Sequence, residues 1–138
     1  MAQIQAYLHF NGNCREAMTF YKECLGGELS MQTVGDSPTA GQMPAEMHNS
    51  IMHAQLANDG FLLLASDLMG PQTANGSNVS LLLECKSEEE IRTLYANLAA
   101  GGQGGHALEN TFWGAIFGDV TDKFGFNWMF NYTKGQNE

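Results

Sequence analysis

Apolar and polar residues alternate strictly over residues 4–10, IQAYLHF. Ile4, Ala6, Leu8 and Phe10 hold one parity, while Gln5, Tyr7 and His9 hold the other. A period of two is that of a strand with one buried face, so this stretch predicts a strand with a greasy side and a chemically varied one. Further on the period becomes 3.6. Ala17, Phe20, Tyr21, Cys24 and Leu25 follow the i, i+3, i+4, i+7, i+8 rule and predict a helix with one buried stripe. Asn13, with Glu16 three residues on, has the spacing of a capping box, and Gly26 with Gly27 suits a left-handed C-terminal cap. Strands are predicted over 28–34, 48–57 and 60–66. The last two are joined by Asn58-Asp59-Gly60, a hairpin signal because Asp59 and Gly60 tolerate positive φ. Residues 35–47 form a long loop containing Met43, with Met47 at its end, and are a candidate lid.

The pattern then repeats. EAMTFYKECLGG, residues 16–27, returns as EIRTLYANLAAGG, residues 90–102, so that Glu16, Thr19 and Tyr21 recur as Glu90, Thr93 and Tyr95. The second helix carries its stripe at Ile91, Leu94, Tyr95, Leu98 and Ala99, begins with the box spacing Ser87 to Glu90, and ends at Gly101 and Gly102. Strands are predicted over 78–85, 104–112, 114–120 and 126–132. The expected architecture is α+β: two βαβββ repeats, about 1–68 and 76–134, within one domain spanning 1–138. Residues 67–77, DLMGPQTANGS, have the Gly, Pro and Asn density of the connection.

Composition narrows the function. The 138 residues suit one domain, and 43% hydrophobic with 15% charged residues is the balance of a packed core. Fifteen acidic against six basic residues give a net charge of −9, which opposes nucleic-acid binding. No stretch approaches the roughly 20 apolar residues of a membrane span, and no basic segment followed by a long apolar run opens the chain, so a cytoplasmic location is expected. Cys14, Cys24 and Cys85 form neither a CxxC pair nor an even framework, as expected in a reducing compartment. Cys14 falls in the first turn of the first helix, where the dipole favours a thiolate. The alternative is an inert, semi-buried thiol.

The stretches YLHFNGNCREAMTFYKECLGGEL, MHAQL, LLLASD and TFWGAIFGDVTDKFGFNWMFNY together resemble the PhnB-like branch of the vicinal oxygen chelate superfamily, which includes glyoxalase I, extradiol dioxygenases and bleomycin-resistance proteins. The resemblance spans nearly the whole chain. It implies paired βαβββ modules forming a curved mixed sheet with the helices outside, a glyoxalase-like fold, within a homodimer. It also implies a divalent metal (Zn, Ni, Fe or Mn) held by His, Gln or Glu from four strands in the metal-dependent members. Here Gln5 falls where a His or Gln ligand is expected, Asn78 or Ser80 where a His is common, and Met129 where a Glu is usual; FLLLASD has no carboxylate before Asp67. A thioether is a poor ligand for such ions, so the metal site is expected to be missing and no cofactor is assigned. Some members of that branch are described as a ubiquinone-pathway methyltransferase. No glycine-rich loop follows a strand and opens a helix here, as a dinucleotide-type cofactor site would require.

Strand parity then supplies the candidate ligand-binding residues. Gln5, Tyr7 and His9 share the varied face of the first strand, His53 and Gln55 share a face of the third, and Asn127, Met129 and Asn131 are inward in the last, opposite Phe126, Trp128, Phe130 and Tyr132. Trp113 joins the cavity set, whereas Trp128 is expected in the core. His48 and His106 lie near strand ends and are expected to be solvated. Two histidines facing one cavity suit acid–base work or metal binding, and equally suit structural roles in which each hydrogen-bonds a neighbour. The reading is a small-molecule binding protein without the standard metal, its ligand in the groove between the repeats. The alternatives are a metal-dependent glyoxalase-type lyase or dioxygenase, and a dimerisation module with a vestigial cavity.

Overall fold

The computed structural model describes residues 4–38, 40–67, 79–111 and 114–134. The chain divides into two compact units, Met1–Ala74 and Asn75–Glu138. Each carries one helix and one four-stranded mixed sheet, an α+β glyoxalase-like fold.

In the first module β1 (Ala6–Phe10) leads into α1 (Cys14–Leu25), followed by β2 (Glu28–Thr33), β3 (Ile51–Ala57) and β4 (Leu62–Asp67). The strand order is β1-β4-β3-β2, with β1 parallel to β4 and the other pairs antiparallel. The helix packs on β2, β3 and β4 and buries Ala17, Met18, Tyr21 and Cys24, with Leu8, Phe10, Ala54, Leu56, Leu63 and Ala65 buried on the sheet. The predicted alternation thus sets which face is covered.

The start of α1 departs from the expectation. Asn13 stands at the N-cap but makes no side-chain cap bond. Instead Asp67, at the far end of β4, accepts from the backbone N–H of Gly12 (2.9 Å) and Cys14 (3.0 Å) through Oδ1, and from Ile51 N–H (2.9 Å) through Oδ2. A carboxylate satisfies orphan helix donors and favours the positive dipole end better than an amide. At the other end Gly26 takes φ +78 and its N–H donates to the Lys22 carbonyl.

The β3–β4 turn is where the sequence places it but is built differently. Gly60 does not have positive φ. Asn58 Oδ1 accepts from the N–H groups of Gly60 (2.7 Å) and Phe61 (3.0 Å), an Asx turn. Two short 3₁₀ turns, Ala40–Gln42 and Ala45–Met47, interrupt the predicted loop. The His48 ring bonds the carbonyls of Ala40 (2.9 Å) and Met43 (3.3 Å), so this histidine holds the loop together where solvation was expected.

In the second module β5 (Leu81–Glu84), α2 (Glu88–Ala99), β6 (Glu109–Asn110), β7 (Ala115–Thr121) and β8 (Asn127–Thr133) repeat the scheme with order β5-β8-β7-β6. Ser87 Oγ accepts from Glu90 N–H (3.0 Å), and Glu90 Oε1 accepts from Lys86 N–H (2.7 Å). The predicted box is present, reaching one residue further back than its usual form. α2 packs on β7 and β8; Ile91, Leu98, Ile116, Val120, Trp128 and Phe130 are buried, and the Tyr95 ring meets Phe130 edge-on at 5.2 Å. Trp128 is core, its Nε1–H donating to Asp122 Oδ2 (2.8 Å). The strand predicted over 104–112 shortens to Glu109–Asn110 because Gly104 (φ +69) and Gly105 (φ +82) are left-handed. Backbone bonds still tie His106 to Asp119 in both directions (3.1 and 2.9 Å).

Candidate functional site

Register decides which side chains share the face of the first sheet opposite α1. Tyr7 pairs with Leu64 and Leu64 with Gln55; His9 pairs with Ser66; Gln32 pairs with His53 and Ser30 with Gln55. Cross-strand partners point to one side, so Tyr7, His9, His53 and Gln55 stand together with Ser30, Gln32, Leu64 and Ser66. The rings are close: Tyr7 lies 5.1 Å from His9 and 6.4 Å from His53, centroid to centroid. Tyr7 is 43% exposed, a large ring left open on a sheet face. Gln5 is exposed and precedes β1, so it is not one of the strand's ladder positions.

The face of the second sheet opposite α2 carries Asn127, Met129 and Asn131, in register with Thr121, Asp119 and Phe117 on β7, and on β5 Leu82 and Glu84 face Met129 and Asn131. Asn131 Nδ2 donates to Glu84 (2.9 Å), and Asn127 Oδ1 accepts from Thr121 Oγ1 (2.9 Å). Asn127 also lines a polar recess of about 600 Å³ with Gln103, Thr121 and Lys123. Trp113 and Asn78 lie outside the described residues.

One pairing on this module was not foreseen. His106 is exposed, as expected, with 81% of its side chain open, yet Nδ1 lies 3.1 Å from Asp119 Oδ2 and its backbone N–H donates to Oδ1 at 3.0 Å. The carboxylate orients the ring and directs Nε2 outward. Sequence separation hid this pair, since only the β6–β7 approach brings residue 106 to 119.

The donors at the superfamily's metal positions do not fit a divalent ion. Both Asp67 oxygens are engaged by backbone N–H groups at the α1 end, Ser80 is an exposed hydroxyl, Met129 is a thioether, and Gln5 is an amide ahead of its strand. Among the described residues no three His, Cys, Asp or Glu side chains gather. Thioether, amide and hydroxyl are a weak set for borderline or hard cations.

The thiols of Cys14 and Cys85 are quiet. Burial, and then the Asp67 charge, push Cys14 up to about 12, with Arg15 opposing; burial, then Glu90 and Glu84, push Cys85 up to about 12. The dipole-activated thiolate is therefore absent at Cys14. An unfolded thiol ionises near 9, so between pH 9 and 12 the unfolded state sheds protons that the native state keeps, and stability is lost as pH rises through that window. Native protein at pH 8 should react slowly with a thiol reagent at Cys14 and Cys85 and rapidly in urea. Urea midpoints should fall more steeply above pH 9 than those of a Cys14→Ser, Cys85→Ser variant; fast native labelling at pH 8 would refute the assignment.

Comparison with known proteins agrees with this architecture. The family model described as 3-demethylubiquinone-9 3-methyltransferase matches residues 2–130. Protein YjdN of Escherichia coli K12 is 37% identical over 96% of this chain and 97% of its own length. Among solved structures, protein PA1353 from Pseudomonas aeruginosa is 43% identical with a TM-score of 0.85, over 96% of this chain and 98% of that one. A PhnB protein from Bacillus cereus is 25% identical with a TM-score of 0.78, over 96% and 100%. The chain belongs to this PhnB-like family.

Proposed function

We propose that this protein binds a small molecule on the open face of its first sheet, without the superfamily's standard metal. The observation that supports the reading is the Tyr7–His9–His53 cluster: the two imidazoles lie 5.1 and 6.4 Å from the Tyr7 ring, on a face that α1 does not cover. Flat side chains with polar edges are what small-molecule sites use to combine apolar area with orientation. The methyl transfer named by the family description is not adopted. The β1–α1 turn has one glycine, Gly12, and the N–H groups of Gly12 and Cys14 are already donated to Asp67, whereas a nucleotide-type cofactor would use such groups itself. The reading includes a homodimer, supported by Val79 (70% exposed) before β5 and Leu82 (55% exposed) on that edge strand. It also includes a cytoplasmic location, supported by three cysteines that form no disulfide; among the described residues no helix is long and apolar enough to cross a membrane.

The test combines elemental analysis of natively purified protein with a thermal-shift screen of divalent ions and small aromatics. The expected result is no stoichiometric metal and a rise of about 10 °C at a hundredfold excess over Kd, corresponding to about 2.7 kcal/mol, lost in Tyr7→Ala and His53→Ala. Stoichiometric zinc, nickel or iron that disappears in His53→Ala would instead establish the metal-dependent lyase or dioxygenase. A dimer that responds to no compound would establish a dimerisation module.

A further inference from the structure

Gln103 and Thr121 exchange backbone hydrogen bonds (2.9 and 3.2 Å), and Thr121 is the ladder partner of Asn127. The three side chains therefore share one face of the second sheet. Together with Gly101 and the β7–β8 turn, residues 122–125, they line the recess of about 600 Å³, a volume within the range of small-molecule sites.

The hydrogen bonds around the recess decide what each group can still offer. Asp122 is 3% exposed; its Oδ1 accepts from the N–H groups of Phe124 (2.8 Å) and Phe126 (3.1 Å), and its Oδ2 from Trp128 Nε1–H (2.8 Å). This carboxylate is committed to the turn and the core. Asn127 Nδ2 donates to the Val79 carbonyl (3.1 Å), and its Oδ1 accepts from Thr121 Oγ1 (2.9 Å). A hydroxyl has one hydrogen, and that of Thr121 goes to Asn127, so toward a ligand Thr121 can only accept. Gln103 is exposed and presents an amide. Among the described residues that line the recess, Lys123 is the one basic side chain. Its stem runs against Gly101, where φ is +77 and a Cβ would stand 3.2 Å from Lys123 Cδ, and its Nζ lies over the Phe124 ring at 5.5 Å from the centroid. Both contacts keep the ammonium beside the recess. Phe124 is the one large apolar side chain of the lining, and its ring already carries that ammonium.

We infer that the recess is a second binding site and takes a small hydroxylated monocarboxylate, its carboxylate on Lys123 and a hydroxyl donating to Thr121 Oγ1 beside the Gln103 amide. A single lysine selects a single negative charge, the acceptor-only threonine selects a hydroxyl, and the polar lining disfavours a flat apolar ring. The site shares no residue with the Tyr7 face and does not depend on ligand binding there.

The probe is glycerate, titrated into the isotope-labelled full-length protein while backbone amide signals are followed by NMR. Propionate, glycerol and benzoate are the comparison ligands. The amides of Gln103, Thr121, Lys123 and Asn127 should shift, while those of β1 to β4 should not. Glycerol, which keeps the hydroxyls and loses the charge, should bind about 5-fold more weakly than glycerate, and propionate, which keeps the charge and loses the hydroxyls, about 3-fold more weakly. Lys123 is exposed, so its variants should fold. Lys123→Gln should weaken glycerate about 5-fold and leave glycerol unchanged, Lys123→Arg should keep the preference for charge, and salt at about 1 M should act as Lys123→Gln does. Thr121→Val should weaken glycerate about 3-fold and leave propionate unchanged, and Gln103→Ala should act in the same direction. Equal binding of glycerate and glycerol, a charge preference that survives Lys123→Gln, a hydroxyl preference that survives both Thr121→Val and Gln103→Ala, or tighter binding of benzoate would overturn the ligand class. No shift at the four recess amides would overturn the site itself. Tyr7→Ala should leave the glycerate response intact, which separates this site from the one on the first sheet.

Discussion

Asp67→Ala is expected to destabilise the protein by about 3–5 kcal/mol, a large effect for a side-chain truncation outside the apolar core. The carboxylate accepts three backbone N–H groups from two separate places, Gly12 and Cys14 at the start of α1 and Ile51 at the start of β3. Asp67 is itself 6% exposed, and Cys14 and Ile51 are fully buried, so alanine leaves buried donors with little water to replace the lost acceptor. The negative charge at the positive end of α1 is lost as well. Asp67→Asn should cost less, about 2 kcal/mol: the amide oxygen can still serve the helix, but its NH₂ then faces the Ile51 N–H. Urea denaturation measures both. A second readout is specific to this geometry. Asp67 is the second cause holding the Cys14 thiol high, so removing it should speed native-state labelling of Cys14 relative to Cys85. A loss below 1 kcal/mol with unchanged labelling would mean that the carboxylate does not hold the helix start.

That cap also shows where legibility ended. The two helices could be read because the 3.6-residue period is local, and the open-face residues could be sorted because strand parity needs only neighbouring positions: Tyr7 with His9 on β1, His53 with Gln55 on β3, Asn127 with Met129 on β8. What failed was chemistry supplied from a distance. Asn13 was a reasonable cap by spacing, but Asp67 lies 53 residues from Cys14 and competes better because it is charged. The hairpin was located from Asp59-Gly60, yet Asn58 closes it from its side chain, so positive φ was never needed. His48 is expected in solvent because strand ends are open, yet its ring bonds two loop carbonyls; His106 is exposed as expected, and what its position did not reveal is the Asp119 carboxylate beside it.

Gly105→Ala should cost about 3 kcal/mol or more, whereas Gly104→Ala, one residue earlier, should cost only about 1 kcal/mol. Both glycines are left-handed, at φ +82 and +69, so both substitutions carry the penalty of placing a Cβ in that region. They differ in space. A Cβ at residue 104 meets nothing within 4 Å, while one at residue 105 runs into the Asp119 backbone carbonyl and lies 2.8 Å from Asp119 Oδ1. Backbone cannot swing aside as the tip of a side chain can, so the segment 104–106 must lift from β7. The bonds that would break are the two His106–Asp119 backbone contacts and the carboxylate's hold on the imidazole. Besides a lower urea midpoint, Gly105→Ala should therefore show faster amide exchange at His106 and Asp119 and a His106 ring signal moved toward that of Asp119→Asn, with α1 and the first sheet unaffected. Equal costs for the two alanines would mean that backbone conformation alone, and not the close approach of the two strands, makes glycine necessary at residue 105.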